Sequence, residues 1–331
     1  MPSCLRLLPL LAAALVLGAG CSQGGQPGAD DTSPTGDESS SALAEGTCWT
    51  DARLGSDPQD VLRLSATYEV PYLVAARALA DRPAFSHRVS CTDDHAVEAY
   101  KVVRLPKIDE QFADYATLLR KQTPLYEKVA RSVAQACMTA PLAKAAAATG
   151  LPGAVMAPVL PPAATLGWAP ASPEQWAKGQ RVFACTLTWA TPQPDLYRSV
   201  FTKAFPTAKR TCIDSRALLY VDCARRHDRE RIALIQARDA VAAGVFPGPK
   251  AIRSGPDGRY LAVTDARYRA LDAACTSYLR AISTTKKLIG VANVDVDEWP
   301  APGGSYPIYC EADTKPDQDS LVTEGSVYNK G

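Results

Sequence analysis

Cys91-Thr-Asp-Asp-His95-Ala-Val-Glu98 and Cys223-Ala-Arg-Arg-His227-Asp-Arg-Glu230 decide how this chain is read. Both fit C-x3-H-x2-E, and each runs into an apolar, strand-like stretch, 99–105 and 231–236. Upstream lie Thr47-Cys48 and Thr211-Cys212. Downstream, a helical segment in each half carries a cysteine, Cys137 within 124–138 and Cys275 within 265–282. Trp176-x2-Gly179-x5-Cys185 and Trp299-x3-Gly303-x6-Cys310 follow, then Arg198-Ser199-Val200 and Gly325-Ser326-Val327. Landmarks recurring in one order are the mark of an internal repeat. They predict two copies of one module, 47–205 and 206–331. The expected fold is α+β: tandem disulfide-stapled repeats, each a small antiparallel sheet with a packed helix.

A chain of 331 residues has room for two such domains. Its 47% apolar and 21% charged residues are those of a folded protein. With 36 basic against 35 acidic side chains the formal net charge is +1, so no global field draws nucleic acid. The short basic runs Arg225-Arg226 and Lys286-Lys287 read as solvated faces.

The first twenty residues have the parts of a secretion signal. Arg6 is followed by an apolar core, 7–17, too short to stay as a membrane span, and then by Gly18, Ala19 and Gly20. Cys21 comes next, and the arrangement resembles the lipobox of bacterial lipoproteins. That resemblance implies a lipid on Cys21, a palmitate-type anchor and a place on the extracytoplasmic face of the cell membrane. Residues 21–46 are rich in Gly, Ser, Asp and Pro and read as a flexible tether. The segment 145–173 carries no charge, but its prolines and glycines forbid a lipid-exposed helix, so it is expected to be an apolar surface loop. Within it, 151–170 is the candidate contact for a partner.

Of ten cysteines, Cys4 lies in the signal and Cys21 is the anchor, which leaves eight. None of the eight forms a C-x2-C zinc knuckle, and an even number in an exported chain points to disulfides. Number alone selects no pairing.

The landmarks resemble the septum-formation domain family of actinobacterial membrane and secreted proteins. The matching residues are Gly46-Thr47-Cys48, Val89-Ser90-Cys91 to Glu98, Cys137, and Trp176 to Cys185 in the first half. In the second they are Thr211-Cys212, Val221-Asp222-Cys223 to Glu230, Cys275, and Trp299 to Cys310. Arg210 replaces the glycine that opens the first copy, and residues 57–85 enlarge that copy between its first two cysteines. The family name implies a link to cell division.

Ten residues separate Cys212 from Cys223, enough for two short strands and a turn, so Cys212–Cys223 can staple a hairpin. By equivalence Cys48 pairs with Cys91, around an inserted helical excursion at 57–82. Cys137–Cys185 and Cys275–Cys310 would then tie a helix to a late strand in each copy. Loops of these lengths each contribute roughly 3–4 kcal/mol in the chain-entropy view. Thr123-Pro124 caps the first helix, with Leu125, Val129, Val133 and Ala136 on its apolar face. Thr264 or Asp265 caps the second, with Tyr268, Leu271, Ala274, Cys275 and Tyr278 on its face. Ser172-Pro173-Glu174-Gln175 opens a short helical turn. In the strand 181–189, Phe183, Cys185, Leu187 and Trp189 form the face to be buried.

His95, Glu98, His227 and Glu230 could be a metal site in each copy. Zinc needs three or four ligands, oxidised cysteines supply none, and His and Glu three apart on a strand should point to opposite faces. The expected role is structural: each histidine hydrogen-bonds backbone beside a disulfide, and each glutamate pairs with an Arg or Lys. His87 stands alone and exposed. No G-x-S-x-G, H-E-x-x-H, phosphate loop or G-x-G-x-x-G occurs, so no catalytic residue or cofactor is assigned. The leading expectation is a non-catalytic binding or scaffolding lipoprotein working with envelope or division proteins. A hydrolase using His95 or His227, and a metal-binding module, are the alternatives.

Overall fold

The strands that leave the two motifs each become the spine of a sheet. The computed structural model describes residues 42–50, 54–80, 82–106, 111, 114–121, 123–194, 197, 200–215, 217, 219–256, 258–301, 304–314 and 325–328. The signal, Cys21 and nearly all of the tether lie outside them. The first sheet holds β1 (Thr47–Trp49), β2 (Arg88–Val89), β3 (His95–Val103), β5 (Ala164–Pro170) and β6 (Phe183–Gln193). Its strands lie in the order β2-β1-β3-β6-β5, and all neighbours are antiparallel. The second holds β7 (Thr211–Asp214), β8 (Leu219–Asp222), β9 (Arg229–Gln236), β12 (Leu288–Asn293) and β13 (Pro307–Thr314), in the order β8-β7-β9-β13-β12. A sixth strand, β4 (Val155–Pro158), joins it beside β9. β10 (Ile252–Gly255) and β11 (Gly258–Leu261) make a separate hairpin.

Helices fill the connections. The excursion between β1 and β2 contains α1 (Pro58–Thr67) and α2 (Tyr72–Leu79). Next come α3 (Ala116–Leu119), α4 (Pro124–Cys137), α5 (Ala140–Ala148) and α6 (Pro173–Ala177). In the second half α7 (Arg238–Ala242) precedes α8 (Asp265–Ile282). Local chemistry places their starts. Thr123 accepts the Tyr126 N–H at 3.2 Å, Thr264 accepts the Arg267 N–H at 3.4 Å, and Ser172 with Gln175 forms a reciprocal capping box. The cysteines are joined as Cys48–Cys91, Cys137–Cys185, Cys212–Cys223 and Cys275–Cys310. Two bonds close a hairpin beside a motif strand, and two pin α4 to β6 and α8 to β13.

The uncharged stretch is not a surface loop. Its first residues end α5, and it then supplies β4 to the second sheet and β5 to the first. Its prolines punctuate strands where no ladder N–H is required: Pro158 ends β4, Pro170 ends β5, and Pro173 opens α6. β9 accordingly has two partners on one side, β7 at Arg229 and Glu230, then β4 from Ala233 to Gln236, while β13 covers its other side. α5 packs along α8, and Leu142, Ala145, Ala146 and Met156 join the core of the second sheet. Elements N-terminal to residue 206 therefore complete the sheet that follows it.

Two further expectations shift. Leu43, inside the stretch read as tether, is buried and exchanges hydrogen bonds with the Gln180 side chain, so the folded part begins before Thr47. It is the one large apolar side chain between residues 22 and 46. In β6 the expected face is buried, but so are Ala184 and Thr186, because the strand lies inside the sheet and is covered on both faces.

Gly290 on β12 faces the backbone of α8: a Cβ there would lie 2.3 Å from the Cys275 carbonyl carbon. Only glycine allows that approach. Gly290→Ala is expected to lower stability by about 1–3 kcal/mol through overpacking, read from the urea midpoint. Gly167→Ala, whose Cβ would meet only Thr186 Oγ1 at 3.5 Å, should change it far less.

Candidate functional site

The two motifs have matching local geometry. His95 Nδ1 lies 2.8 Å from the Asp93 carbonyl and His227 Nδ1 2.7 Å from the Arg225 carbonyl. A carbonyl only accepts, so this nitrogen carries the proton in both rings. Both histidines are buried beside a disulfide. Glu98 stands opposite Cys48 in the β1–β3 ladder, and Glu230 stands opposite Cys212 in the β7–β9 ladder.

The glutamates bind backbone, not the expected Arg or Lys. Glu98 Oε2 accepts the Tyr197 N–H at 2.8 Å. Glu230 Oε2 accepts the Val327 N–H at 2.7 Å, and its Oε1 accepts the Ser326 hydroxyl at 2.8 Å. Each carboxylate thus clasps a segment that follows the last strand of its half. The first contact falls at Tyr197, three residues before the Val200 that the sequence pattern sets against Val327. Arg210 reaches Glu230 only through its field. Its guanidinium donates to the Val200 and Thr202 carbonyls at 2.6 and 2.8 Å and lies 4.3 Å from the Tyr328 ring centroid. Burial pushes the Glu230 carboxyl above its ordinary value, against the opposing pull of the Val327 and Ser326 hydrogen bonds and Arg210.

The expectation that His95 and Glu98 face apart does not hold: His95 Nε2 is 3.6 Å from Glu98 Oε2. His95 sits where the 91–94 turn meets β3, its ring is held by Asp93, and the β3–β6 register shifts between His95 and Val97. Pleat alternation does not govern such a position. Among the described residues, Cys48–His95–Glu98 and Cys212–Cys223–Glu230 are the metal-competent groupings. Their sulfurs are bound in disulfides, which leaves two donors in the first and one in the second. These donor sets do not fit zinc. His87 is exposed, with its Nδ1 3.0 Å from Ser86 Oγ.

The larger feature escaped the sequence reading. A cavity of about 500 Å³ lies among β3, the α4–α5 corner, β4, β5 and α8. Ala134, Met138, Leu142, Met156 and Leu166 contribute its aliphatic wall, and Trp168 and Phe201 add aromatic surface. Tyr100, Tyr197 and Tyr278 also line it. Tyr100 and Tyr197 stack with centroids 4.2 Å apart and planes 4° from parallel. Burial raises all three phenols, Tyr197 to about 12. Glu98 acts on this wall by holding the backbone of Tyr197, while Tyr328, next to the Val327 that Glu230 clasps, donates to the Ile232 carbonyl at 3.1 Å. The one sequence signal was the uncharged run 145–173, which supplies much of the lining.

Glu230→Ala is expected to cost about 1–3 kcal/mol, because it leaves a buried N–H without an acceptor, whereas Glu230→Gln keeps an acceptor and should cost less. The raised carboxyl also sets a pH dependence. Its stability contribution is complete below the ordinary value of 4.5 and declines as pH rises through the higher folded-state value. Glu230→Gln should flatten that decline in denaturation curves taken from pH 4 upward. The chain matches no protein-family model, no curated protein and no solved structure.

Proposed function

We propose that this chain is a tethered, non-catalytic binding protein of the cell envelope, and that it holds a small apolar ligand in the cavity between its two halves. The cavity carries the reading. At about 500 Å³ it has the size of a ligand site, and it is walled mainly by apolar side chains with a few tyrosines. Pockets of that composition bind by excluding water.

The chain is exported, lipidated at Cys21 and held at the extracytoplasmic face by the residues after it. Among the described residues no helix is long and apolar enough to cross a membrane. The folded part is two copies of a septum-formation-like module, 47–205 and 206–331, with envelope or division proteins as its partners. Support for duplication comes from the matching strand orders, the disulfides at equivalent places and the twin histidine-to-carbonyl hydrogen bonds.

Two measurements test this. Cys21→Ser should move the protein from the membrane fraction to the soluble envelope fraction; unchanged membrane retention would remove the anchor. A solvatochromic apolar dye titrated into the purified full-length chain should saturate near one equivalent with blue-shifted emission. Absence of saturable binding would overturn the cavity reading.

A further inference from the structure

We infer that the occupant of this cavity is a single linear acyl chain, inserted tail first with its head group left outside. The inference rests on the reading of the cavity as a binding site and adds the class of ligand. Three observations point the same way.

Among the described residues the lining contains no Asp, Glu, Lys, Arg or His, so none of them offers an anionic or cationic head group a counter-charge inside. Its polar atoms expose little surface to the cavity. Tyr100 donates to the Cys137 carbonyl at 3.4 Å. A ligand read through fixed hydrogen bonds, such as a sugar or nucleotide, would find few partners. The wall also includes Met138, whose unbranched thioether adjusts to a flexible guest.

Volume sets the length. At ~30 Å³ for a group the size of a water molecule, a chain of about seventeen carbons fills the space. Exposed Pro141 and Gly167 belong to the lining, so the cavity meets solvent at the α5–β5 side, where a head group can remain hydrated. A free fatty acid and a lysophospholipid share this tail chemistry.

The test uses purified full-length protein and a fluorescent polyene fatty acid, displaced by saturated acids of increasing length, by palmitoyl lysophosphatidylcholine and by cholesterol. Displacement should strengthen from eight carbons to about seventeen and then level off as further carbons protrude. Displacement by palmitate identifies a free acid as a source, and displacement by the lysolipid identifies a membrane lipid; either supports the inference. Ala157→Trp should weaken polyene binding at least tenfold and move the optimum to shorter chains. If that variant loses its fold by circular dichroism, Ala134→Phe on the α4 wall provides the same readout. Affinity independent of chain length, or cholesterol displacing as well as palmitate, would overturn the inference. Saturable dye binding that no acyl chain displaces would end the acyl assignment alone. Failure of dye and fatty acids together would also end the binding function.

Discussion

The pairing of β4 with β9 is the constraint on which the rest of the molecule depends. β9 offers β7 only its first two residues, so the backbone from Ala233 to Gln236 would otherwise present an open edge. Unpaired strand edges are costly when buried and adhesive when exposed. β4 covers that edge and brings α5 against α8, and Met156 becomes buried with the second core. Fully burying a side chain of that size contributes about 1.5–3 kcal/mol. Since β5, a few residues on, returns to the first sheet, one uncharged segment stitches both sheets together, and the space left beneath the stitch is the cavity.

The motif glutamates act on the same wall from the opposite direction. A carboxylate buried beside a disulfide is expensive unless it is hydrogen-bonded, and Glu98 and Glu230 meet that demand with backbone N–H groups of later segments. Those segments carry Tyr197 and Tyr328, one lining the cavity and the other donating to the Ile232 carbonyl of β9. The histidines complete the clasp by fixing the turn that leads into each motif strand. A pattern that looks like a metal or acid–base site holds, in its contacts, the segments that follow β6 and β13 against the sheets.

Much of the architecture was legible because it is local. Thr123-Pro124, Thr264 and the Ser172–Gln175 box write their helix starts into a few adjacent residues. The cysteine order, read through the repeated motif, is consistent with all four bonds. What stayed hidden is non-local. Nothing within residues 145–173 says that its strands have partners in two different sheets, and proline density suggests a loop until the ends of β4 and β5 are known. The glutamates' partners lie about a hundred residues away, and both carboxylates take a backbone N–H, which leaves no residue signature. The approach of His95 to Glu98 depends on a register shift that strand periodicity does not encode. The cavity is a joint product of these long-range contacts, so it had no motif of its own.

Hydrogen exchange of the native full-length protein, followed by mass spectrometry on peptides covering 153–160, tests the stitched arrangement most directly. If β4 is a strand of the second sheet, its amides should exchange as slowly as those of β9, since core strands open only with the larger unfolding events. Exchange of 153–160 within seconds, alongside a protected β9, would contradict the account: the segment would be a surface loop, and no common cavity would join the two halves.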